Sequence, residues 1–239
     1  MYYIDQFLWL IFPYITLTIF VVGHIYRYNT DQFGWQARSS EFLHKDRNLK
    51  WGSTLFHWGI ILVFFGHVAG ILVPKGFYEI IGISEPLYHW GAIWIGGGAG
   101  VITVVGVILL LVRRSTVERI RKNSTRSDFI VLILLSFVIL TGFTNTVGYT
   151  ATGGTFDYRD TVGPWFRGIL LFSPNYQLMV GAPIGFQIHI LSSFLLFAIW
   201  PFTRLVHMWS IPLTYLNRHY IVYRKRNPKK AFKAMERNN

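Results

Sequence analysis

The sequence predicts an all-α integral membrane protein, a bundle of five transmembrane helices with the N-terminus outside and the C-terminus cytoplasmic. Three observations predict it. Of 239 residues, 52% are hydrophobic and only 14% are charged, against roughly 25% charged in soluble domains. The charges are clustered, leaving five uncharged windows: Gln6–Tyr26, Trp51–Pro74, Pro86–Val112, Phe129–Phe156 and Gly168–Thr203. Each holds the ~20 residues that a helix needs to cross a bilayer, and none alternates as a barrel strand would. Third, the basic residues fall on one side. With five spans, Arg27–Lys50, Arg113–Arg126 and the tail from Arg204 share a side and carry 20 of the 23 Lys and Arg. Lys75, Arg159 and Arg167 are left on the other. Cytoplasmic loops carry the basic excess, which sets the orientation. The net charge of +12 is thereby explained without nucleic acid.

The elements follow in order. The first helix is placed near Ile4–Tyr26. Its flank, MYYID, lacks the basic start of a signal peptide, and its apolar run is too long for one, so it reads as a retained span. Tyr28–Lys50 contains WQARSSEFLHK, a short amphipathic helix on the cytoplasmic face. The second helix is expected over Ser53–Val73 and the third over Tyr88–Val112, which carries the small-residue run GGGAG at Gly96–Gly100. Arg113–Ser127 is a basic connector, and the fourth helix runs over Asp128–Tyr149. Thr150–Pro183 is the longest external connection; its GG and SPN turn signals flank WFRGILLF, which lies at the interface and partly caps the bundle. The fifth helix is expected over Ile184–Val206, followed by a basic cytoplasmic tail, 207–239, suited to anionic membrane lipid or a soluble partner. There is no internal repeat, and 1–239 reads as a single domain.

Four histidines lie in or beside these windows, in two pairs: His57 and His67 on the second helix, His189 and His207 on and at the inner end of the fifth. An ionisable group in hydrocarbon is costly and marks a functional site by default. Because the two helices are antiparallel, depth order pairs His67 with His189 on the outer side and His57 with His207 on the inner side. These pairs point to the axial ligands of two stacked haems. The 18-residue interval on the fifth helix closes whole turns, but the ten-residue interval on the second leaves about 80° between its rings. The rises also differ, about 27 Å against about 15 Å. A kink at Pro201 would absorb the difference. Gly59, Gly66 and Gly70 flank the second-helix ligands and make room for a flat cofactor or for close helix packing. The chain has no cysteine, which excludes thiolate metal sites and covalent haem attachment, so the haems are of b type, with electron transfer as their chemistry. His24 and His89 near span ends, and His44 and His219 in cytoplasmic segments, suit surface or interface roles. Arg204, three residues before His207, and Arg113 and Arg114, ending the third helix, suit haem propionates.

Several of these segments occur together in one family. IFPYI (Ile11–Ile15), FGWQARSS (Phe33–Ser40), LFHWGI and GHVAG (within Leu55–Gly70) and FTRLVHMWSIPLTYL (Phe202–Leu216) resemble the γ subunit of respiratory nitrate reductase, over essentially the whole chain. The resemblance implies a bacterial cytoplasmic-membrane cytochrome b with two haem b groups, the outer on His67 and His189, the inner on His57 and His207. It implies quinol oxidation near the outer haem and partners in an iron–sulfur β subunit and a molybdenum α subunit that reduces nitrate, in anaerobic respiration. Some members have a lysine in the loop after the second helix that is linked to quinol binding. The matching stretch here, Gly82–Trp90, has none, which leaves Gly66, His67, Tyr88 and His89 as quinol-site candidates. Two alternatives stay open at this point: a di-haem cytochrome b of another quinone-linked oxidoreductase, and a haem-free membrane protein with structural histidines.

Overall fold

A computed structural model of the chain describes residues 2–31, 34–35 and 46–209. Met1–His207 form one compact unit and Met208–Asn239 a second, of which Met208 and Trp209 are described. Among the described residues there is no strand, and five helices are long and apolar enough to cross a membrane: Tyr2–Thr30, Arg47–Leu72, Glu85–Thr116, Arg126–Thr150 and Ile184–Phe202. The protein is a multi-pass membrane protein. The amphipathic helix expected over WQARSSEFLHK falls, but for Trp35, outside the described residues, as does the tail from Ser210.

The spans outrun the apolar windows because polar caps extend them. The second starts at Arg47, not Ser53, because the Asp46 carboxylate accepts from the backbone N–H of Asn48 (2.9 Å) and Leu49 (3.2 Å). The fourth starts with a reciprocal capping box between Thr125 and Asp128. The third begins at Glu85 with Pro86 in its first turn. Beyond Val112 it continues to Thr116, where the Ser115 and Thr116 hydroxyls donate to Leu111 and Val112 carbonyls.

The fifth span departs most from expectation. Its α-helix ends at Ile199, not Val206. Pro201 cannot continue the ladder, so Trp200–Phe202 tightens to a 3₁₀ turn and Thr203 is extended (φ −122°, ψ 179°). A separate 3₁₀ segment, Arg204–Trp209, then carries His207. The whole-turn arithmetic over the 18 residues from His189 therefore does not apply, and the bend anticipated at Pro201 is a complete break.

The spans form a row in the order second, third, fourth, fifth, first. Small residues set the close approaches. A Cβ on Gly59 would collide with Thr103, and one on Gly106 with the Phe56 backbone, which locks the second span onto the third. On Gly100 it would come within 2.8 Å of Phe143 of the fourth span. The main apolar core lies at the end opposite the basic loops, where Trp9, Val162, Trp165, Ile169, Met179, Ala182 and Phe194 pack together. Pro13 offers no N–H to the carbonyl four residues back, that of Trp9, and Trp165 Nε1–H donates to it instead at 2.8 Å. The run WFRGILLF supplies this cap as the helix Val162–Leu170.

Candidate functional site

The second and fifth spans are not neighbours in that row; histidine rings of the second face one ring on the fifth and one on the 3₁₀ segment that follows it. His57 and His207 face each other at the basic end with ring centroids 6.1 Å apart, and His67 and His189 do so nearer the opposite end, also at 6.1 Å. Both separations fit a shared metal. An imidazole–metal bond of about 2.0 Å places each centroid roughly 3.1 Å from the metal, so two rings across one atom stand about 6.2 Å apart. The ring planes differ by 68° and 33°, and rotation about an axial bond permits either.

The protonation pattern fits as well. His57 Nδ1–H donates to the Ser53 carbonyl (2.7 Å) and His67 Nδ1–H to that of Val63 (2.8 Å), each one turn back on its own helix. His207 Nδ1–H donates to the Arg204 carbonyl (2.6 Å) and His189 Nδ1–H to that of Val138 on the fourth span (3.1 Å). A carbonyl can only accept, so all four rings carry the proton on Nδ1 and present the Nε2 lone pair, the form that ligates metal. Among the described residues no group of three or more His, Cys, Asp or Glu is placed to hold a metal ion. The donor sets are therefore pairs, which suits a metal whose remaining positions are filled by a macrocycle.

Glycines sort into two kinds. Gly66, beside His67, has no atom within 4 Å of where a Cβ would sit, nor have Gly96 and Gly98. Helix packing does not require glycine there, and at Gly66 its absence of side chain keeps the ring's flank open. Gly70 is different: a Cβ would meet Tyr158 at 2.9 Å and the Tyr88 hydroxyl at 3.0 Å. Sequence reasoning missed Gly142. A Cβ on it would lie 2.7 Å from His189 Cε1, so the ring depends on a glycine in a neighbouring span. The adjacent Thr141 hydroxyl lies 3.2 Å from His189 Nδ1. Neither position carries a charge or a spacing that marks it in the sequence.

Beyond the His67–His189 pair lies a charged network. Lys75 Nζ reaches Asp160 (2.5 Å), Asp157 (3.0 Å) and Glu85 (3.0 Å). Burial alone would lower the Lys75 ammonium, but its hydrogen bonds to Asp160, Asp157 and Glu85 hold it above the usual lysine range. Burial would raise the Asp157 carboxyl, yet hydrogen bonds from Arg159 and Lys75 hold it at about 2. Arg159, its side chain 2% exposed, bonds Asp157 (3.0 Å) and donates to His89 Nε2 (3.1 Å), with its guanidinium 4.0 Å from the Tyr88 ring centroid. The Tyr88 hydroxyl pairs with that of Tyr158 at 3.2 Å. Tyr88 and His89 are thus committed to this network, whereas Gly66 and His67 are exposed.

At the basic end, Arg113 Nε bonds Asp46 at 2.6 Å, and that hydrogen bond holds the Asp46 carboxyl below the usual carboxylate range. Arg204 Nε bonds buried Asp128 at 2.7 Å, and Arg114 Nη1 approaches the same carboxylate at 3.5 Å. The arginines expected beside propionates are therefore gathered on two aspartates.

Fold and site together define a multi-pass helical membrane protein that presents two imidazole pairs at two depths between its spans. The chain belongs to the nitrate reductase gamma subunit family, whose model matches residues 5–226. It is 54% identical over 222 residues to the nitrate reductase gamma chain of Bacillus subtilis (strain 168), covering 93% of this chain and 99% of that one. It is 35% identical over 225 residues to the respiratory nitrate reductase 2 gamma chain of Escherichia coli (strain K12), covering 94% and 98%. It is also 41% identical over 222 residues to the nitrate reductase-like protein NarX of Mycobacterium tuberculosis (strain ATCC 25618 / H37Rv), covering 92% of this chain and 34% of that protein.

Proposed function

We propose that this chain is the membrane subunit of a quinol-oxidising nitrate reductase and holds two haem b groups, one on His57 and His207 and one on His67 and His189. The observation that carries the reading is the geometry of the ring pairs: each pair is spaced for one metal atom, with every Nδ1–H bonded to a carbonyl. Held by His57 with His207 and by His67 with His189, the haems would supply one-electron transfer. The residues do the rest. The carbonyls of Ser53, Val63, Val138 and Arg204 fix the tautomer and orientation of the rings and leave each Nε2 to bind the metal. Gly66 and His67 form the exposed side on which quinol is taken up, with Tyr88 and His89 beside it. Arg114 and Arg204 supply positive charge for propionates at the basic end. With the basic loops cytoplasmic, the His67–His189 pair lies on the outer side, and the His57–His207 pair faces an iron–sulfur β subunit and a molybdenum α subunit that reduces nitrate.

The test is a reduced-minus-oxidised spectrum and a haem count on the purified chain. Two low-spin b-type haems per chain are expected, falling to one in His57→Ala and in His67→Ala, and His67→Ala and His189→Ala should affect the same one. A chain without haem, or a preparation that does not couple quinol oxidation to nitrate reduction with its partners, overturns the reading.

A further inference from the structure

Of the four rings, three are oriented by regular helix. His57 and His67 bond to carbonyls of their own helix, and His189 stands on an unbroken helix against the fourth span. His207 does not share this support, because it follows the break at Pro201 and Thr203. Its orientation has to come from elsewhere, and two contacts provide it.

The first comes from the opening span. Gly23 makes room for the break, since a Cβ there would lie 2.9 Å from Pro201 Cβ and Cγ. One turn on, Arg27 Nη1 donates to the carbonyls of Pro201 and Thr203, both at 2.7 Å. These are carbonyls of a helix end, where backbone acceptors need partners from outside the helix. Thr203 Oγ1 then accepts from Leu205 N–H at 3.2 Å and starts the next turn. The second contact comes from the fourth span. Asp128, 4% exposed, is itself fixed by Thr125 N–H at 2.9 Å, and its other oxygen accepts from Arg204 Nε at 2.7 Å. Arg204 is the hinge of the arrangement: its side chain is held by Asp128 while its carbonyl holds His207 Nδ1–H at 2.6 Å.

We propose that Arg27 and Asp128 are positioning residues for His207, anchoring the broken segment from two different spans and so setting the geometry of the basic-end imidazole pair, but not of the far-end pair. The proposal rests on the haem reading above. It predicts that the two sites respond independently to substitutions far from either metal position.

The test uses the full chain in its membrane complex, followed by electron paramagnetic resonance during redox titration, with the two low-spin signals assigned through His57→Ala and His67→Ala. Arg27→Gln and Asp128→Asn are both expected to shift the basic-end signal or convert it to high spin, while the far-end signal stays. Thr141→Val, beside His189, should do the reverse. Charge alone acts differently. Losing a positive charge favours the oxidised form and losing a negative one the reduced form, by 59 mV for each tenfold change in their ratio. A pure field effect therefore moves the potential in opposite directions in Arg27→Gln and Asp128→Asn with unchanged signal shape, and that result overturns the proposal. So does an equal change in both signals. Where these variants lose both signals, Arg27→Lys and Asp128→Glu, which keep the charge and alter only the reach to the broken segment, carry the test: a change confined to the basic-end signal is expected, and an equal change in both signals, or none in either, overturns the proposal. A parent chain lacking haem defeats the underlying reading instead, which keeps the two failures distinct.

Discussion

Gly142 is held to glycine by a ring on another helix. The Cβ of an alanine there would stand 2.7 Å from His189 Cε1, well inside contact distance, so either the ring or the fourth span must shift. Overpacking of this kind costs roughly 1–3 kcal/mol, and here the yielding part is a proposed ligand. Gly142→Ala is expected to lower the haem content from two to one per chain, with loss at the His67–His189 site and retention at the other. Pyridine haemochrome content and the surviving low-spin signal measure this, and full retention of both haems would disprove the steric role. The histidines were legible because ionisable groups are rare in apolar windows and their order along antiparallel spans fixes depth. Gly142 was not, because nothing distinguishes it in sequence among 22 glycines. Its importance comes from the face of the fourth span that meets the fifth, which no spacing rule supplies without the packing.

The elements show the same division between what pattern records and what contact decides. Pro201 announced a disturbance of the fifth span, and the caps at Asp46 and Thr125 are short polar signals that lengthen spans beyond their apolar windows. The π-helical stretches Phe7–Ile11, Val68–Leu72, Ala92–Gly96 and Thr144–Thr150 have no such signature. The loop tie at the far end was equally hidden, since Lys75, Glu85, Asp157 and Arg159 are brought together only by folding. Its strength follows from burial. Removing one partner of a buried ion pair costs roughly 3–5 kcal/mol, so Arg159→Ala should free the connections around Lys75 and Asp157, read as faster amide exchange there. Exchange no faster than in the parent would refute the tie. Its pH window follows from sign. Asp157 is depressed, so its contribution is fully present above the ordinary aspartate value of about 3.9 and is lost as pH falls through about 2. Lys75 is raised, so its contribution is fully present below about 10.4 and is lost only as pH rises through its folded value. Protection of these connections should therefore be flat from about pH 5 to 9 and decline on acidification.

For the whole molecule, the useful quantity is the depth difference between the two ring pairs. Ion pairs at the basic end join the ends of the third and fifth spans to the starts of the second and fourth, as Arg113 with Asp46 and Arg204 with Asp128, which fixes the alternating direction of the spans. His57 and His67 lie ten residues apart on one helix, about 15 Å along its axis, so the two sites divide the membrane between them. On the proposed function, and with the basic loops cytoplasmic, quinol oxidised beside His67 would release its protons outside while its electrons are delivered inside, where nitrate reduction would consume protons. Each electron carried fully inward against the field stores about 2.3 kcal/mol per 100 mV, and no proton channel is needed. In keeping with that, the charged side chains of the far-end network and of the basic end lie at span ends and loops rather than between the two ring pairs. The measurement is quinol-driven nitrate reduction in sealed vesicles of known orientation with a pH indicator on one side. Two protons per quinol are expected on the side opposite the basic loops, with a membrane potential that collapses on adding an ionophore. Proton release on the side of the basic loops would instead place quinol oxidation at the His57–His207 end and reverse the assignment of the two sites.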